Sequence, residues 1–299
     1  MSFGCRSSIK PYLKWAGGKR QLLPEIKKHL PRDIRSYTYY EPFVGAGALF
    51  FELQPEEALI NDRNSQLMAA YAAIRENVEE LIGLLKTYQN TKDQYYAIRN
   101  RDREPDFDRL TDTEKAARII FLNKTCYNGL YRVNSRGFFN VPYGKHKNPV
   151  VCEETVLRRI SAYLRASRIT IMTGDFEAAV ARADNRSFVY FDPPYHSRER
   201  GFTGYQPDGF DEGDQERLRD VFTELTRRGA KCLLSSPDTE FIRDLYNDEQ
   251  WEIVTVEAKR SINSDAAGRG AVHEVLIRNW KTPCGSAAES PCPAGIPGM

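Results

Sequence analysis

Four consecutive residues, Asp192, Pro193, Pro194 and Tyr195, place a carboxylate, a stiff turn and an aromatic ring after an apolar, β-rich run at 187–191. Each proline fixes φ and lacks an N–H group, so the carboxylate and the turn carbonyls remain available as acceptors. Such acceptors suit the exocyclic amine of a planar base on which Tyr195 stacks, as for an adenine swung out of a duplex. A tight turn that caps a strand is the alternative, and the tetrapeptide alone does not decide.

A second segment that could bind a ligand covers residues 41–47. It follows the first predicted strand and leads into a helix that begins near Ala48. Gly45 and Gly47 let the backbone approach a ligand closely. The third glycine of a dinucleotide fingerprint is replaced by Phe50, which disfavours a cofactor with a pyrophosphate.

Acidic residues near this loop suit a nucleoside that carries a positive charge. Asp62 ends the second predicted strand, where related folds bind ribose hydroxyls through an acidic side chain. S-adenosylmethionine joins an adenosine to a cationic methionine end, which Glu41 or Asp175 could approach. Taken singly, each of these acids is more often a strand-end cap or a solvated charge.

The N-terminal segment 12–19 carries Lys14, Trp15 and Lys19 around a Gly-Gly turn. The turn could let Trp15 and Lys19 reach a ligand. Alternatively, Trp15 anchors the segment by packing into the core.

The segment 121–150 contains no Asp or Glu, although the whole chain has a formal net charge of only +2. Alternating basic and aromatic residues suit contacts to phosphates and bases. A solvated hairpin with a small aromatic core is the alternative. The basic and aromatic residues that alternate include Lys124, Tyr127, Tyr131, Arg132, Arg136, Phe138, Phe139, Tyr143, Lys145 and Lys147.

Strand-like runs alternate with helical patterns, which predicts a mostly parallel, doubly wound α/β sheet. Residues 251–258 and 272–280 have no helix between them and predict an antiparallel hairpin at the edge of the sheet. A helix is expected over 21–30. The other predicted strands cover residues 37–41, 58–61, 168–173, 187–191 and 231–235.

The stretch between the second and third strands is much longer than a normal crossover. Apolar residues recur at helical spacing over 64–101 and 113–121, and 127–143 predicts a β-hairpin that turns at 134–137. We therefore predict an inserted domain. The predicted units are a sheet domain from 1–62 and 161–281, the inserted domain 63–160, and a disordered tail at 282–299.

Composition narrows the class of protein. The 299 residues are 41% hydrophobic and 28% charged, and no apolar run approaches the roughly 18 residues of a membrane span. No signal-peptide pattern precedes the first predicted strand, so a cytoplasmic protein is expected. Six widely spaced cysteines and four scattered histidines indicate neither a zinc site nor a disulfide framework.

Together, the motifs at 14–19, 41–47, 123–144 and 192–195 resemble those of Dam-type, D12 class DNA adenine-N6 methyltransferases. The resemblance runs from about residue 10 to residue 280, and four motifs in the right order are more specific than any one. It implies a Rossmann-like class I methyltransferase sheet that binds S-adenosylmethionine. It also implies that the mainly helical insertion, with its β-hairpin, is a DNA target-recognition domain.

The resemblance assigns roles to individual residues of this chain. The tetrapeptide 192–195 matches the catalytic motif, and positions 124–126 and 133–136 depart from the family pattern, which could alter the preference for flanking bases. Expected cofactor contacts are Trp15, Lys19, Asp62 and Asp192, with Glu41, Phe43, Gly45, Gly47, Asp175 and Phe176 nearby. Expected base contacts are Lys14, Tyr127, Leu130, Arg132 and Pro142, which favour GATC as the target, and Asn134, Arg136 and Lys145 are further DNA-binding candidates.

These assignments predict methyl transfer to adenine N6 in double-stranded DNA, without a metal. Asp192 and the Pro193 carbonyl accept hydrogen bonds from N6, and Tyr195 replaces part of the lost base stacking. Arg132 makes a bidentate contact with guanine, whereas Lys145 contacts phosphate.

Three other functions remain open from the residues alone. One is methyl transfer to another amine or amide, such as cytosine N4, an RNA base or a protein side chain. A second is a non-catalytic DNA-binding module, which the intact tetrapeptide disfavours. The third is a nucleotide-dependent oxidoreductase, which Phe50 and the lack of a separate substrate domain disfavour.

Overall fold

The computed structural model describes residues 7–15, 19–194, 210–259 and 271–281. Tyr195 and the predicted tail at 282–299 lie outside these residues. Among the described residues, no helix combines the length and apolar character needed to cross a membrane.

Seven strands form one sheet, in the order β3-β2-β1-β4-β5-β7-β6. Strands β1 to β5 are parallel, with Tyr40 opposite Leu59 and Thr38 opposite Ser187, whereas β7 runs antiparallel to both β5 and β6. The predicted sheet and its antiparallel edge hairpin are confirmed. The strands are β1 (Thr38–Glu41), β2 (Glu57–Asp62), β3 (Arg168–Thr173), β4 (Ser187–Phe191), β5 (Lys231–Pro237), β6 (Glu252–Lys259) and β7 (Ala271–Arg278).

Strand β1 pairs with β2 on one side and with β4 on the other. The chain order therefore reverses between β1 and β4, and ligands of open α/β sheets bind at the carboxyl ends of strands beside such a reversal. The apolar β4 is buried throughout and lies at the centre of the sheet. Phe188 and Tyr190 pack into one core cluster and Val189 and Phe191 into another, because successive side chains of a strand point to opposite faces.

Ten α-helices occur in the described residues, and the helix predicted at 21–30 is shorter than expected. A 3₁₀ turn at Lys19–Gln21 precedes α1, whose first turn contains Pro24. Pro at this place lacks only an N–H that would be unpaired anyway. The helices are α1 (Leu23–Lys28), α2 (Ala48–Leu53), α3 (Ser65–Glu76), α4 (Val78–Thr87), α5 (Lys92–Asn100), α6 (Asp112–Thr125), α7 (Glu154–Ala166), α8 (Phe176–Val180), α9 (Glu212–Arg227) and α10 (Glu240–Leu245).

Helices α3 to α7 pack together beside the sheet, and α3 contacts α6, α7 and β3. Side chains cap several of these helices, including a capping box between Thr111 and Glu114 at the start of α6. The predicted domain boundary at residue 160 falls inside α7. The division of the chain into domains stays a prediction.

The segment predicted as a β-hairpin follows an antiparallel path but forms isolated bridges instead of two continuous strands. Cys126 pairs with Tyr143 and Val133 with Phe139. The turn is where it was predicted, since the N–H of Gly137 donates to the carbonyl of Asn134. Continuous strands were the wrong expectation, because Asn128 and Gly129 lie in a 3₁₀ turn with φ values of +56° and +64°, which interrupts the extended arm between the two bridges.

Candidate active site and nucleic-acid interface

Asp192 directly follows β4 and is held by two side chains from other elements. Lys19 Nζ lies 2.8 Å from Asp192 Oδ1, and Ser235 Oγ, near the end of β5, donates to the same oxygen at 3.3 Å. Among the described residues, Asp192 Oδ2 has no hydrogen-bond partner. The carboxylate is thus fixed through one oxygen while the other can accept from a ligand.

Lys19 joins Asp192 to a second acid. Lys19 is 3% exposed, and its ammonium group also lies 3.2 Å from Glu274 Oε2, on β7. Burial raises the pKa of Asp192, the negative charge of Glu274 raises it further, and Lys19 and Ser235 oppose the rise. Two acids therefore share one ammonium group.

Sequence reasoning did not find Ser235 or Glu274. Glu274 had one signal, because it is an acid inside the apolar run of a strand, β7. Lys19 was predicted to contact the cofactor, and the structure places its ammonium group against the two acids. Its role toward the cofactor stays a prediction.

The glycine loop, residues 41–47 at the end of β1, lies beside Asp62. The N–H groups of Gly45 and Asn64 donate to the two oxygens of Asp62 at 3.1 and 2.9 Å. Burial raises the pKa of Asp62 to about 6, and these hydrogen bonds limit the rise. The carboxylate therefore lies at the loop, and its binding of ribose hydroxyls stays a prediction.

Gly45 and Gly47 have φ values of +50° and +71°, which disfavour residues with a side chain. A Cβ atom at Gly45 would lie 2.9 Å from the Trp15 ring, and one at Gly47 would lie 2.7 Å from the Tyr71 hydroxyl. That hydroxyl donates to the carbonyl of Gly45 at 3.0 Å. Both glycines are thus required by conformation and by close approach.

Glu41 ends β1 and is 2% exposed. Its Oε2 accepts a hydrogen bond from the Tyr39 hydroxyl at 2.7 Å. Burial, helped by the negative charge of Asp192, raises the pKa of Glu41 well above its usual range, although the bond from Tyr39 opposes this. A cation bound nearby would favour the ionised form.

Asp175 caps α8 and is paired with an arginine. Arg217 of α9 donates to both Asp175 oxygens at 2.8 and 2.9 Å, and this bond lowers the pKa of Asp175. The geometry agrees with the strand-end cap considered from the sequence, and any approach of Asp175 to a cofactor stays a prediction.

Phe43 and Phe176 form an aromatic surface beside Asp175, with ring centroids 5.2 Å apart. The guanidinium group of Arg217 lies 4.2 Å from the centre of the Phe176 ring. Asn61, which the sequence did not single out, joins the two loops that carry these rings. Its Nδ2 donates to the carbonyls of Pro42 and Gly174, both at 3.0 Å.

The N-terminal segment links the glycine loop to the basic and aromatic segment 121–150. The Trp15 ring, which meets Gly45, stacks on Tyr131 with centroids 5.0 Å apart. Asn123 accepts from the N–H of Lys14 at 2.9 Å and donates to the carbonyls of Lys14 and Gly129 at 2.7 and 3.0 Å. Trp15 therefore contacts both predicted binding regions.

The predicted DNA-binding residues differ in exposure. Lys14, Arg136, Pro142 and Lys145 are exposed, and Tyr127 is 49% exposed, unusually high for a large aromatic side chain. The half-buried residues are Leu130, Arg132 and Asn134. Asn134 Oδ1 accepts from two main-chain N–H groups of its own turn, and Arg132 Nε donates to Asn140 Oδ1 at 2.8 Å.

Of the tetrapeptide 192–195, which was predicted to be catalytic, the structure describes the first three residues. Pro193 is buried and Pro194 is half-buried beside Asp192. The predicted stacking of Tyr195 on a base lies outside the described residues.

Comparison with known proteins identifies the family. Residues 15–262 match the model for D12 class N6 adenine-specific DNA methyltransferases. Type II methyltransferase M1.LlaDCHI of Lactococcus lactis is 43% identical over 277 residues, which cover 91% of this chain and 96% of the relative. Type II methyltransferase M.MjaIII of Methanocaldococcus jannaschii is 41% identical over 292 residues, with 91% and 99% covered.

DNA adenine methylase of Escherichia coli K12 is 33% identical over 274 residues, which cover 89% of this chain and 94% of the relative. The family match extends over the glycine loop, the basic and aromatic segment and the residues around Asp192. The chain therefore belongs to the D12 class N6 adenine-specific DNA methyltransferase family and is an adenine methyltransferase that uses a methyl donor of the S-adenosylmethionine type.

Proposed function

We propose that this enzyme transfers a methyl group from S-adenosylmethionine to N6 of an adenine swung out of duplex DNA, within the sequence GATC. The observation that carries the proposal is the arrangement at Asp192. One oxygen of its carboxylate is held by Lys19 and Ser235, and the other is available as an acceptor at the carboxyl end of β4.

The residues around the glycine loop suit S-adenosylmethionine. Asp62 offers a half-buried carboxylate to ribose hydroxyls, and Gly45 and Gly47 allow close approach of the backbone. Asn61 Oδ1 is buried and has no hydrogen-bond partner among the described residues, so a ligand donor could satisfy it. The donor's charged sulfur supplies an electrophilic methyl group.

The protein orients the amine. The lone pair of adenine N6 is delocalised into the ring, so pointing it at the methyl carbon is the main catalytic task. Asp192 Oδ2 and the Pro193 carbonyl accept the two N6 hydrogens. As the new N–C bond forms and the S–C bond breaks, the negative charge of Asp192 stabilises the positive charge that develops on N6. Water can take the N6 proton afterwards.

The contacts of Trp15 and Lys14 support duplex DNA as the substrate. They join the loop that would hold the methyl donor to the basic and aromatic segment. An enzyme that flips a base needs its recognition surface at a fixed distance from the transfer site. The bases of GATC are recognised by the residues at positions that match the family's base contacts, which are Lys14, Tyr127, Leu130, Arg132 and Pro142.

Mapping modified bases in a living cell tests the proposal. The protein is expressed in a bacterial host that lacks DNA methylation, and every methylated base of the genome is identified. We expect N6-methyladenine at nearly all GATC sites, since both strands of this palindrome offer an adenine. The Asp192→Ala variant, produced at the same level, should leave the genome unmodified.

Two results would contradict parts of the proposal in different ways. N6-methyladenine in another sequence would leave the chemistry standing but overturn GATC as the target. N4-methylcytosine, or modification by the Asp192→Ala variant at the wild-type level, would overturn the proposed chemistry.

A further inference from the structure

Arg132, the proposed guanine reader, is held by another residue of its own loop. Its Nε donates to Asn140 Oδ1 at 2.8 Å, and the N–H of Asn140 donates to the carbonyl of Arg132 at 3.0 Å. The two residues are thus joined through their side chains and through their main chains. The side-chain bond uses Nε and not the two terminal nitrogens of the guanidinium group, which can serve another acceptor.

Phe139, the residue before Asn140, forms hydrogen bonds to other side chains through both its main-chain N–H and its carbonyl. Asp102 Oδ2 accepts from the N–H of Phe139 at 2.7 Å, and Arg103 Nη2 donates to the carbonyl of Phe139 at 2.9 Å. The Asp102 carboxylate is buried and also pairs with Arg118 of α6 at 2.7 Å. Helix α6 therefore fixes Phe139, and through it the place of Asn140.

The other arm of the loop is fixed as well. Tyr131, directly before Arg132, is buried and stacks on Trp15. Its ring also meets Phe139 edge-on, with centroids 5.6 Å apart. Both arms of the loop are therefore anchored next to Arg132 and Asn140, and the bond between these two side chains sets the direction of the guanidinium group.

We propose that Asn140 is a specificity-determining positioning residue that orients Arg132 toward one base pair. The inference rests on the proposed function, in which Arg132 reads guanine. A bidentate contact requires the plane and the direction of the guanidinium group to be correct. A side chain that is ordered before binding also loses less entropy on binding. Without Asn140, Arg132 keeps its charge and its attraction to DNA but discriminates less.

The test compares methyl transfer on the mapped recognition duplex with transfer on duplexes that differ by one base pair. In Asn140→Ala, we expect discrimination at the pair read by Arg132 to fall about tenfold, as for loss of one hydrogen bond to a charged group. Discrimination at the other pairs, and affinity for S-adenosylmethionine, should stay at wild-type values. Asn140→Asp keeps an acceptor oxygen and should retain most of the discrimination.

A double-mutant cycle shows whether the two residues act together. Arg132→Ala should lose discrimination at the same base pair, and adding Asn140→Ala should change it little further, because the coupled contact is already absent. Arg132→Lys keeps the positive charge without the planar fork and should resemble Asn140→Ala. This variant also tests the contact if a change at Asn140 impairs folding.

Asn100→Ala is the matched control. Asn100 is exposed on α5 and also accepts a hydrogen bond from an arginine, with Arg99 Nε at 3.4 Å. It should behave as wild type.

The inference is overturned if Asn140→Ala keeps wild-type discrimination, or if it weakens transfer equally on every duplex while Arg132→Ala acts at one base pair. If Arg132→Ala also leaves discrimination unchanged, the reader role of Arg132 fails first and the inference fails with it. The genome map of the wild-type enzyme would still stand, so the two failures are distinguishable.

Discussion

Two clusters of three charged residues are built in opposite ways. At the end of β4, one ammonium group, Lys19, lies between two acids, Asp192 and Glu274. Among the helices beside the sheet, one acid, Asp102, lies between Arg103 and Arg118. The first cluster has two acids and one base, and the second has one acid and two bases.

The clusters also differ in how completely their hydrogen-bonding atoms are used. Both Asp102 oxygens are paired, and Arg118 donates to the carbonyls of Ile98 and Arg99 and to Gln66. At Asp192, the contacts with Lys19 and Ser235 both use Oδ1. A buried carboxylate with both oxygens paired to other residues of the protein stabilises the fold. A carboxylate at a strand end with one oxygen available as an acceptor is suited to binding a substrate.

The largest effect on stability is expected at the helical cluster. Asp102→Ala leaves Arg118 without its buried counterion and the N–H of Phe139 without its acceptor. The free energy of unfolding should fall by about 3 to 5 kcal/mol, as measured by urea denaturation. Asp106→Ala is the control, because Asp106 forms an exposed ion pair with Arg101 and should change stability little. Equal stability of the two variants would show that the buried cluster does not anchor the fold.

A smaller effect is expected on cofactor binding at low pH. With a pKa of about 6, Asp62 is ionised at pH 7 and becomes protonated as the pH falls below 6. Because only the carboxylate accepts from ribose hydroxyls with both oxygens, affinity for S-adenosylmethionine should be about tenfold weaker at pH 5 than at pH 7. Calorimetric titrations across this range measure it. In Asp62→Asn the pH dependence should flatten, and a persistent slope would assign it to another group.

The smallest effect concerns Glu274, which faces Asp192 through Lys19. Asp192 also accepts a hydrogen bond from Ser235, and its negative charge helps to raise the pKa of Glu41. Because Glu274 raises the pKa of Asp192, Glu274→Gln should lower it. The acidic limb of the pH profile for single-turnover methyl transfer should therefore move to lower pH. An unchanged limb, with only a uniform loss of rate, would mean that Glu274 has a purely structural role.

The sequence predicted the sheet well because each strand carries its own signal. β3 and β4 have the predicted bounds, since β-branched and aromatic runs end at clear turns. β5 continues through Pro237, because it pairs with β7, a strand more distant in the chain. Pairing with a distant strand can lengthen a strand although the local sequence contains no pattern that predicts it.

The sequence predicted where residues of the candidate site lie, but it did not predict which side chains contact one another. The motifs located Asp62 and Asp192 at strand ends, where the structure has them. No local pattern could pair Lys19 with Glu274, or Asp175 with Arg217, because these contacts join residues far apart in the chain. For the same reason, the sequence could not show that Asp102 accepts a hydrogen bond from the main-chain N–H of Phe139.

The most direct test of the central claim is the single-turnover rate of methyl transfer in Asp192→Asn, with S-adenosylmethionine and duplex DNA both saturating. Asp238→Asn is the matched control, since Asp238 follows β5 as Asp192 follows β4 but both of its oxygens bind Arg243, at 2.6 and 2.9 Å. We predict a rate about 10³-fold below wild type for Asp192→Asn, with cofactor affinity retained, and a near wild-type rate for Asp238→Asn. A rate for Asp192→Asn within a few-fold of wild type would contradict the account.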